Sequence, residues 1–347
     1  MCECKGKTME TKFLEPTEQA IELACNLLKS GEVVAVPTET VYGLAGDSRN
    51  SDAIKKIFKA KGRPSDNPLI VHISNLEMLD NIVEYVPETA QKLANAFWPG
   101  PLTIIMKKGK GICNETTAGL DSVGVRMPSH PIAREIIERS RVPFSAPSAN
   151  ISGKPSPTNA TDVFEDMNGK IPLVINGGEC DAGIESTVVS VLNETPVILR
   201  PGVVTKEQME QVLGVKVLVA SEVTKGVSEN AQVLSPGMKY KHYSPNAKVI
   251  ILNGSFDKFK DYVSKNKTEK TFALCFDGED ALLDVPAVCF GKETDESAQA
   301  KNLFSALRTL DKQGAELVFA RCPKTTGISL AVYNRLIRSA GFDIINL

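Results

Sequence analysis

Apolar residues at Ala20, Leu23, Ala24, Leu27 and Leu28 recur with a helical period, and Gly31 ends the stripe, which predicts a helix over 17–30. Val33 to Val36 then reads as a short buried strand, followed by a polar turn within "VPTETVYGLAGD". Residues 51–60 and 87–97 read as helices. Leu69 to Ile73 reads as a buried strand that carries His72. "PGPLTIIMKK" predicts a strand after a Pro/Gly turn, "SVGVRMP" a strand ending in Arg126, and "PIAREIIERS" a helix. "VPFSAPSANISGKPSPT" predicts a strand followed by a long loop of small residues. "PLVINGG", "STVVSVL" and "PVILRPG" predict three more strands. Strands and helices mixed in this way fit one α+β domain of about 200 residues.

The texture changes after residue 205. One short helix and strand lead into "VASEVTKGVSENAQVLSPGMKYKHYSP", a polar stretch without clear periodicity that reads as a linker. From Lys248 the order is regular: strand "KVIILN", helix, strands "TFALCF" and "PAVCF", helix, strand "ELVFA", helix. The penultimate helix sets Ala300, Leu303, Phe304, Leu307 and Leu310 on one face. This predicts a small Rossmann-like parallel α/β domain, although no Gly-x-Gly-x-x-Gly supports dinucleotide binding. The expected units are therefore 13–205, a linker at 206–247, and 248–347.

Composition narrows the classes. The 347 residues are 42% hydrophobic and 24% charged, with a formal net charge of −2, so no global excess of positive charge points to nucleic acid. No apolar run approaches the roughly 18 residues that span a bilayer, so no membrane role is expected. "MCECKGKTMETKF" lacks the apolar core of a signal peptide, and a cytoplasmic location is expected. The eight cysteines include no Cys-x-x-Cys pair, which argues against structural zinc.

The candidate chemistry begins at "FKAKGRPSDNPLIVHI". Lys61 and Arg63 lie two apart and point the same way if the stretch is extended. Arginine grips phosphate or carboxylate with two parallel bonds, and lysine adds a point charge. A solvated basic turn is the competing reading. His72 reads either as a satisfied core histidine or as a group facing a ligand. Thr38, Thr40 and Tyr42 follow a buried strand, at the kind of strand end where ligands bind, or they only pack. "SAPSAN" allows close approach to the backbone, and "GGECDAGIESTVV" delivers Ser186 and Thr187 to a strand start. Arg126 and Arg200 each end a strand. With Lys61 and Arg63 they suggest one cation-lined pocket for a phosphorylated and a small polar ligand. No P-loop, catalytic triad or His-Glu-x-x-His is present.

In order, "PTETVYGL", "KAKGRPSDNPLIVHI", "WPGPLT", "VGVRMP", "APSANISG" and "ESTVV…LRPG" resemble the YrdC-like family. "SPGMKYKHYSP" and the appended domain are similar to the longer, two-domain threonylcarbamoyl-AMP synthases within it. The resemblance implies an α/β fold with a twisted, mainly parallel sheet around an open basic cavity, and a nucleotidyltransferase activity. L-threonine, bicarbonate or CO2, and ATP would give L-threonylcarbamoyladenylate and pyrophosphate. That product would feed N6-threonylcarbamoylation of adenosine 37 in tRNA through a separate transferase complex, with a possible weak tRNA contact. Mg²⁺ is expected with ATP, its ligands unassigned. By position, Arg63, Asn67, Ser148 and Arg200 would contact ATP, with Lys61 near the phosphates and Ser122 and Ser156 as further nucleotide contacts. Thr40, His72, Arg126 and Ser186 would form the threonine side, with Ala146 contributing backbone only. Tyr240 in the linker would close over the nucleotide as part of a lid.

Two other readings compete: an RNA-binding, translation-associated module using the same basic cavity, and a carbamoyltransferase-type maturation subunit. The second would need extra modules and zinc-type cysteine pairs that this sequence lacks.

Overall fold

A computed structural model describes residues 9–225 and 243–347. The first part of the chain runs β1 (Lys12–Leu14), α1 (Glu18–Lys29), β2 (Val34–Val36), β3 (Gly43–Asp47), α2 (Ser51–Lys61), β4 (Ile70–His72), α3 (Glu88–Phe97), β5 (Leu102–Lys107) and α4 (Asn114–Thr117). It continues with β6 (Ser122–Arg126), α5 (Pro131–Ser140), β7 (Phe144–Ser145), α6 (Ala160–Met167), β8 (Leu173–Ile175), β9 (Thr187–Ser190), β10 (Val197–Arg200), α7 (Lys206–Leu213) and β11 (Leu218–Val219). Capping fixes several helix starts: Thr17 accepts from Ala20 at α1, Asn50 accepts from Asp52 and Ala53 at α2, and Thr205 and Gln208 form a reciprocal box at α7.

These strands form one sheet in the order β1-β8-β2-β3-β7-β4-β6-β5-β9-β10-β11. The α/β class and the large sheet match the expectation, but the pairings divide evenly. Five are parallel and five antiparallel. The sheet is thus mixed rather than mainly parallel. The cause is local: β2 reverses into β3 through residues 37–42, and β5 pairs antiparallel with β6, so direct reversals alternate with helical crossovers. The sequence pattern predicts only a polar turn after Val36. Gly43, Leu44, Ala45, Gly46 and Asp47 have weak strand propensity, and pairing on both sides with β2 and β7 makes them a strand. β11 adds to β10 and carries the sheet past residue 205 to Val219.

After α8 (Glu222–Lys225) come β12 (Lys248–Asn253), α9 (Phe256–Asn266), β13 (Thr271–Cys275), β14 (Ala287–Cys289), α10 (Glu296–Lys312), β15 (Leu317–Arg321), α11 (Ser329–Ser339) and β16 (Ile344–Asn346). The second sheet, β14-β13-β15-β12-β16, is parallel throughout. β15 lies between β12 and β13, an order that dinucleotide-binding sheets do not have. Leu303, Phe304, Leu307 and Leu310 of α10 are fully buried. Their cluster also takes in Val41 and Ile184 from the first part of the chain, so this core reaches the wall of the first sheet. Among the described residues no helix is long and apolar enough to cross a membrane.

Candidate functional site

The strand ends of the first sheet open onto a cleft. Its lining includes ten of the thirteen residues expected from the sequence: Thr40, Lys61, Arg63, His72, Arg126, Ala146, Ser148, Ser156, Ser186 and Arg200. Among the described residues, five cationic side chains (with Lys154) face it against one carboxylate, Glu185. Such a balance suits anionic ligands.

One wall hangs on main-chain ladders. β4 and β6 pair in parallel register, and His72 stands directly beside Arg126. His72 Nδ1 lies 3.1 Å from the Ile70 carbonyl, which can only accept, so the proton sits on Nδ1. The ring stacks on Phe144 at 5.5 Å. Burial, and then the Arg126 charge, push the imidazole pKa down to about 3, so it is neutral at physiological pH. Arg126 is 4% exposed and donates to Thr40 Oγ1 at 2.8 Å and to the Gly100 carbonyl at 3.3 Å. Its Nη2 lies 2.7 Å from Glu39 Oε1, in ionic contact but outside hydrogen-bonding alignment. Burial alone would raise the Glu39 carboxyl; Arg126 outweighs it and holds the pKa below the usual value. Thr38 and Thr40 hydroxyls pair at 2.8 Å. Tyr42 turns away: its hydroxyl donates to the Gly178 carbonyl and accepts from the Gly177 N–H.

The other wall is made of loops tied by side chains. Lys61 ends α2, and Gly62 follows in the left-handed region at φ 61°. The stretch is therefore not extended, yet Lys61 and Arg63 both reach the cleft. The Lys61 ammonium donates to the Ser148 carbonyl, the Asn150 carbonyl (2.8 Å) and Asn150 Oδ1 (3.4 Å). Its three protons are thus committed to holding the small-residue loop. Burial, with Arg63 nearby, pushes its pKa well down. Ser148 Oγ donates to Asn150 Oδ1 at 2.5 Å. The Ala146 N–H is given to the Ile70 carbonyl. Gly43 lies against this loop, where a Cβ would come within 2.9 Å of Ala146 Cβ, so only glycine fits. Arg200 donates to the Ser186 carbonyl at 3.1 Å and to Ser186 Oγ at 3.2 Å, and that hydroxyl also pairs with Thr103.

Three expected residues lie elsewhere. Ser122 starts β6 and lines a smaller cleft that shares only Leu69 and Ile70 with the main one. Asn67 is fully buried behind the turn, and neither atom of its amide has a hydrogen-bond partner. Tyr240 lies outside the described residues.

Sequence reasoning missed Glu39, Glu185 and Tyr243. Both glutamates stand inside quoted motifs, "PTETVYGL" and "ESTVV", but a search for cations passes over acids. Glu185 accepts from Ser156 Oγ at 2.6 Å and from Arg335 Nε at 2.9 Å. Burial raises its carboxyl, Arg335 and Arg200 lower it, and the net shift is downward. With both oxygens engaged, Glu185 is not an open metal ligand, and no cluster of three His, Cys, Asp or Glu suited to a metal occurs among the described residues.

Two family models cover most of the chain. The Sua5/YciO/YrdC model, described as "Telomere recombination", matches residues 26–202, and "Threonylcarbamoyl-AMP synthase, C-terminal domain" matches 204–341. The threonylcarbamoyl-AMP synthase of Pyrococcus abyssi is 43% identical over 335 residues, covering 95% of this chain and 96% of its own. That of Bacillus subtilis is 42% identical over 340 residues, covering 96% and 97%. The crystal structure of P. abyssi Sua5 complexed with L-threonine superposes with a TM-score of 0.90 at 41% identity, covering 98% of this chain and 99% of that one.

Proposed function

The chain belongs to the two-domain threonylcarbamoyl-AMP synthase family, and from that premise we propose how its cleft works. The protein is an enzyme that makes L-threonylcarbamoyladenylate from L-threonine, bicarbonate or CO2, and ATP, with release of pyrophosphate. The threonine amine adds to the one-carbon unit to give a carbamate. A carbamate oxygen then bonds to the α-phosphorus of ATP as the bond to pyrophosphate breaks. Both partners are anionic, so the protein's main tasks are positioning and charge stabilisation.

In this reading Arg126, which lines the cleft, receives the threonine carboxylate. Glu39 behind it keeps the guanidinium in place. His72, neutral with its proton on Nδ1, offers Nε2 as an acceptor to the hydroxyl or amine of threonine. Arg63 and Arg200 face the phosphates. Lys61 acts one step back: it shapes the loop carrying Ser148. Mg²⁺ fits as part of the substrate, arriving on the ATP triphosphate, because the cleft offers no open set of acidic ligands among the described residues. The product is a mixed anhydride of a carbamic and a phosphoric acid, an activated group donor. Transfer to a tRNA adenosine by a separate transferase is the step that would consume it, in support of N6-threonylcarbamoyladenosine formation.

The observation that carries the reading is the convergence of ten expected residues, four of them cationic, on one cleft. Its test is pyrophosphate release with ATP, threonine, bicarbonate and Mg²⁺, each omitted in turn, with serine in place of threonine as control. Release should need every component and favour threonine. Release that proceeds without threonine, or equally with serine, would overturn it.

A further inference from the structure

The second domain supplies buried charges to the back of the cleft. Arg335 of α11 is fully buried. Its Nε donates to Glu185 Oε2 at 2.9 Å, Nη2 to the Glu185 carbonyl at 3.4 Å, and Nη1 to Asn334 Oδ1 at 2.9 Å. The other Glu185 oxygen holds Ser156 Oγ. The Arg335 guanidinium also lies over the ring of Tyr243, 5.7 Å from its centroid, and that ring lines the cleft.

The same loop is held at two further points. Arg308 of α10 donates to the Pro155 carbonyl at 2.7 Å and pairs with Asp166 at 2.8 Å. The Ser244 N–H, where the described chain resumes, donates to the Gly153 carbonyl at 2.8 Å. Residues 153, 155 and 156 are thus each tied to elements that come after residue 242. His72 and Arg126 depend instead on the β4–β6 ladder.

We propose that Arg335 is a positioning residue for the nucleotide half of the cleft, setting Ser156 through Glu185 and seating the Tyr243 ring. This rests on the synthase reading and on the assignment of Ser156 to the nucleotide. A lone buried carboxylate beside an anionic ligand would repel it, and Arg335 removes that charge while fixing the serine rotamer. Arg335 touches neither reactant itself; it acts on ATP use and leaves threonine use alone.

The test uses the full chain with Arg335→Gln, Arg335→Lys, and the double variant Arg335→Gln/Glu185→Gln. The double variant removes both charges and keeps the protein folded if the single one does not. KM for ATP and for threonine, the affinity for ATP alone by calorimetry, and the thermal midpoint are measured on each. Arg335→Gln should raise KM for ATP and the ATP dissociation constant about tenfold, with KM for threonine within about twofold, and Arg335→Lys should recover part of the loss. The double variant should regain the thermal midpoint but not the ATP affinity. Equal changes in both KM values, or ATP affinity that recovers along with the midpoint, would reduce Arg335 to a structural anchor and overturn the proposal. If the wild-type chain releases no pyrophosphate, the synthase reading fails, and the calorimetric comparison still decides the role of Arg335.

Discussion

The two walls of the cleft are built on different principles. The His72–Arg126 wall is fixed by main-chain pairing, which places two side chains next to each other whatever their neighbours do. The loop wall is fixed by buried side chains, Lys61 on Ser148 and Asn150, Glu185 on Ser156, and Arg308 on Pro155. Main-chain pairing keeps the ladder's shape when a side chain is lost, even where that loss costs stability. A loop held by single buried charges does not, because each one removed leaves buried polar groups unpaired.

The contrast is sharpest at Arg126. Arg126→Ala should abolish detectable pyrophosphate release. It should also cost about 3–5 kcal/mol of stability, because Glu39 stays buried without its partner. Arg126→Met combined with Glu39→Gln should return most of the stability in urea unfolding while activity stays absent. Stability that remains low in the double variant would show that the ladder does not hold this wall alone.

Lys61→Met tests the loop wall. It should cost about 2–3 kcal/mol, from carbonyls left unpaired in the 148–150 loop. KM for ATP should rise more than KM for threonine. An unchanged KM for ATP would mean the loop keeps its shape without the lysine.

His72 gives the comparison a pH axis. Its folded pKa of about 3 lies below the unfolded value of 6.5. The stability that depends on its neutrality is therefore complete above pH 6.5 and is lost as pH falls toward 3. The Glu39 and Glu185 carboxyls, lowered from 4.5, act below that value. Between pH 6.5 and 4.5 the His72 contribution should fall by about 1.4 kcal/mol per pH unit. Urea midpoints for wild type and His72→Gln across that window should converge as pH drops; parallel curves would count against a neutral buried imidazole.

The smallest effect is expected at Asn67. Its amide is buried without partners. Asn67→Leu should raise the stability of the free protein by about 1 kcal/mol while weakening ATP binding. A variant that gains stability and binds ATP as before would remove Asn67 from the nucleotide site.

Legibility in the sequence follows the same division. α1 and α2 were readable because period and caps agree: Thr17 and Asn50 mark starts, and Gly62 marks an end; α3 and α5 were readable without a side-chain cap. β4 and β6 were readable as apolar runs, and with them the candidates His72 and Arg126. β3 was hidden because glycine and alanine carry no strand signal until two neighbours pair with them. The roles of Glu39 and Glu185 were hidden because each depends on a cation distant in the chain, 87 residues away for Arg126 and 150 for Arg335. No local pattern encodes such a partner.

β1 pairs with β8, Lys12 beside Leu173, across most of the first sheet's sequence. A ribosome adding roughly 5–20 residues per second needs on the order of 8–30 seconds to lay down that interval. For that time the segment Lys12–Leu14 has been made but its strand partner has not. One edge of the sheet is therefore closed only when its earliest strand meets a partner translated about 160 residues later.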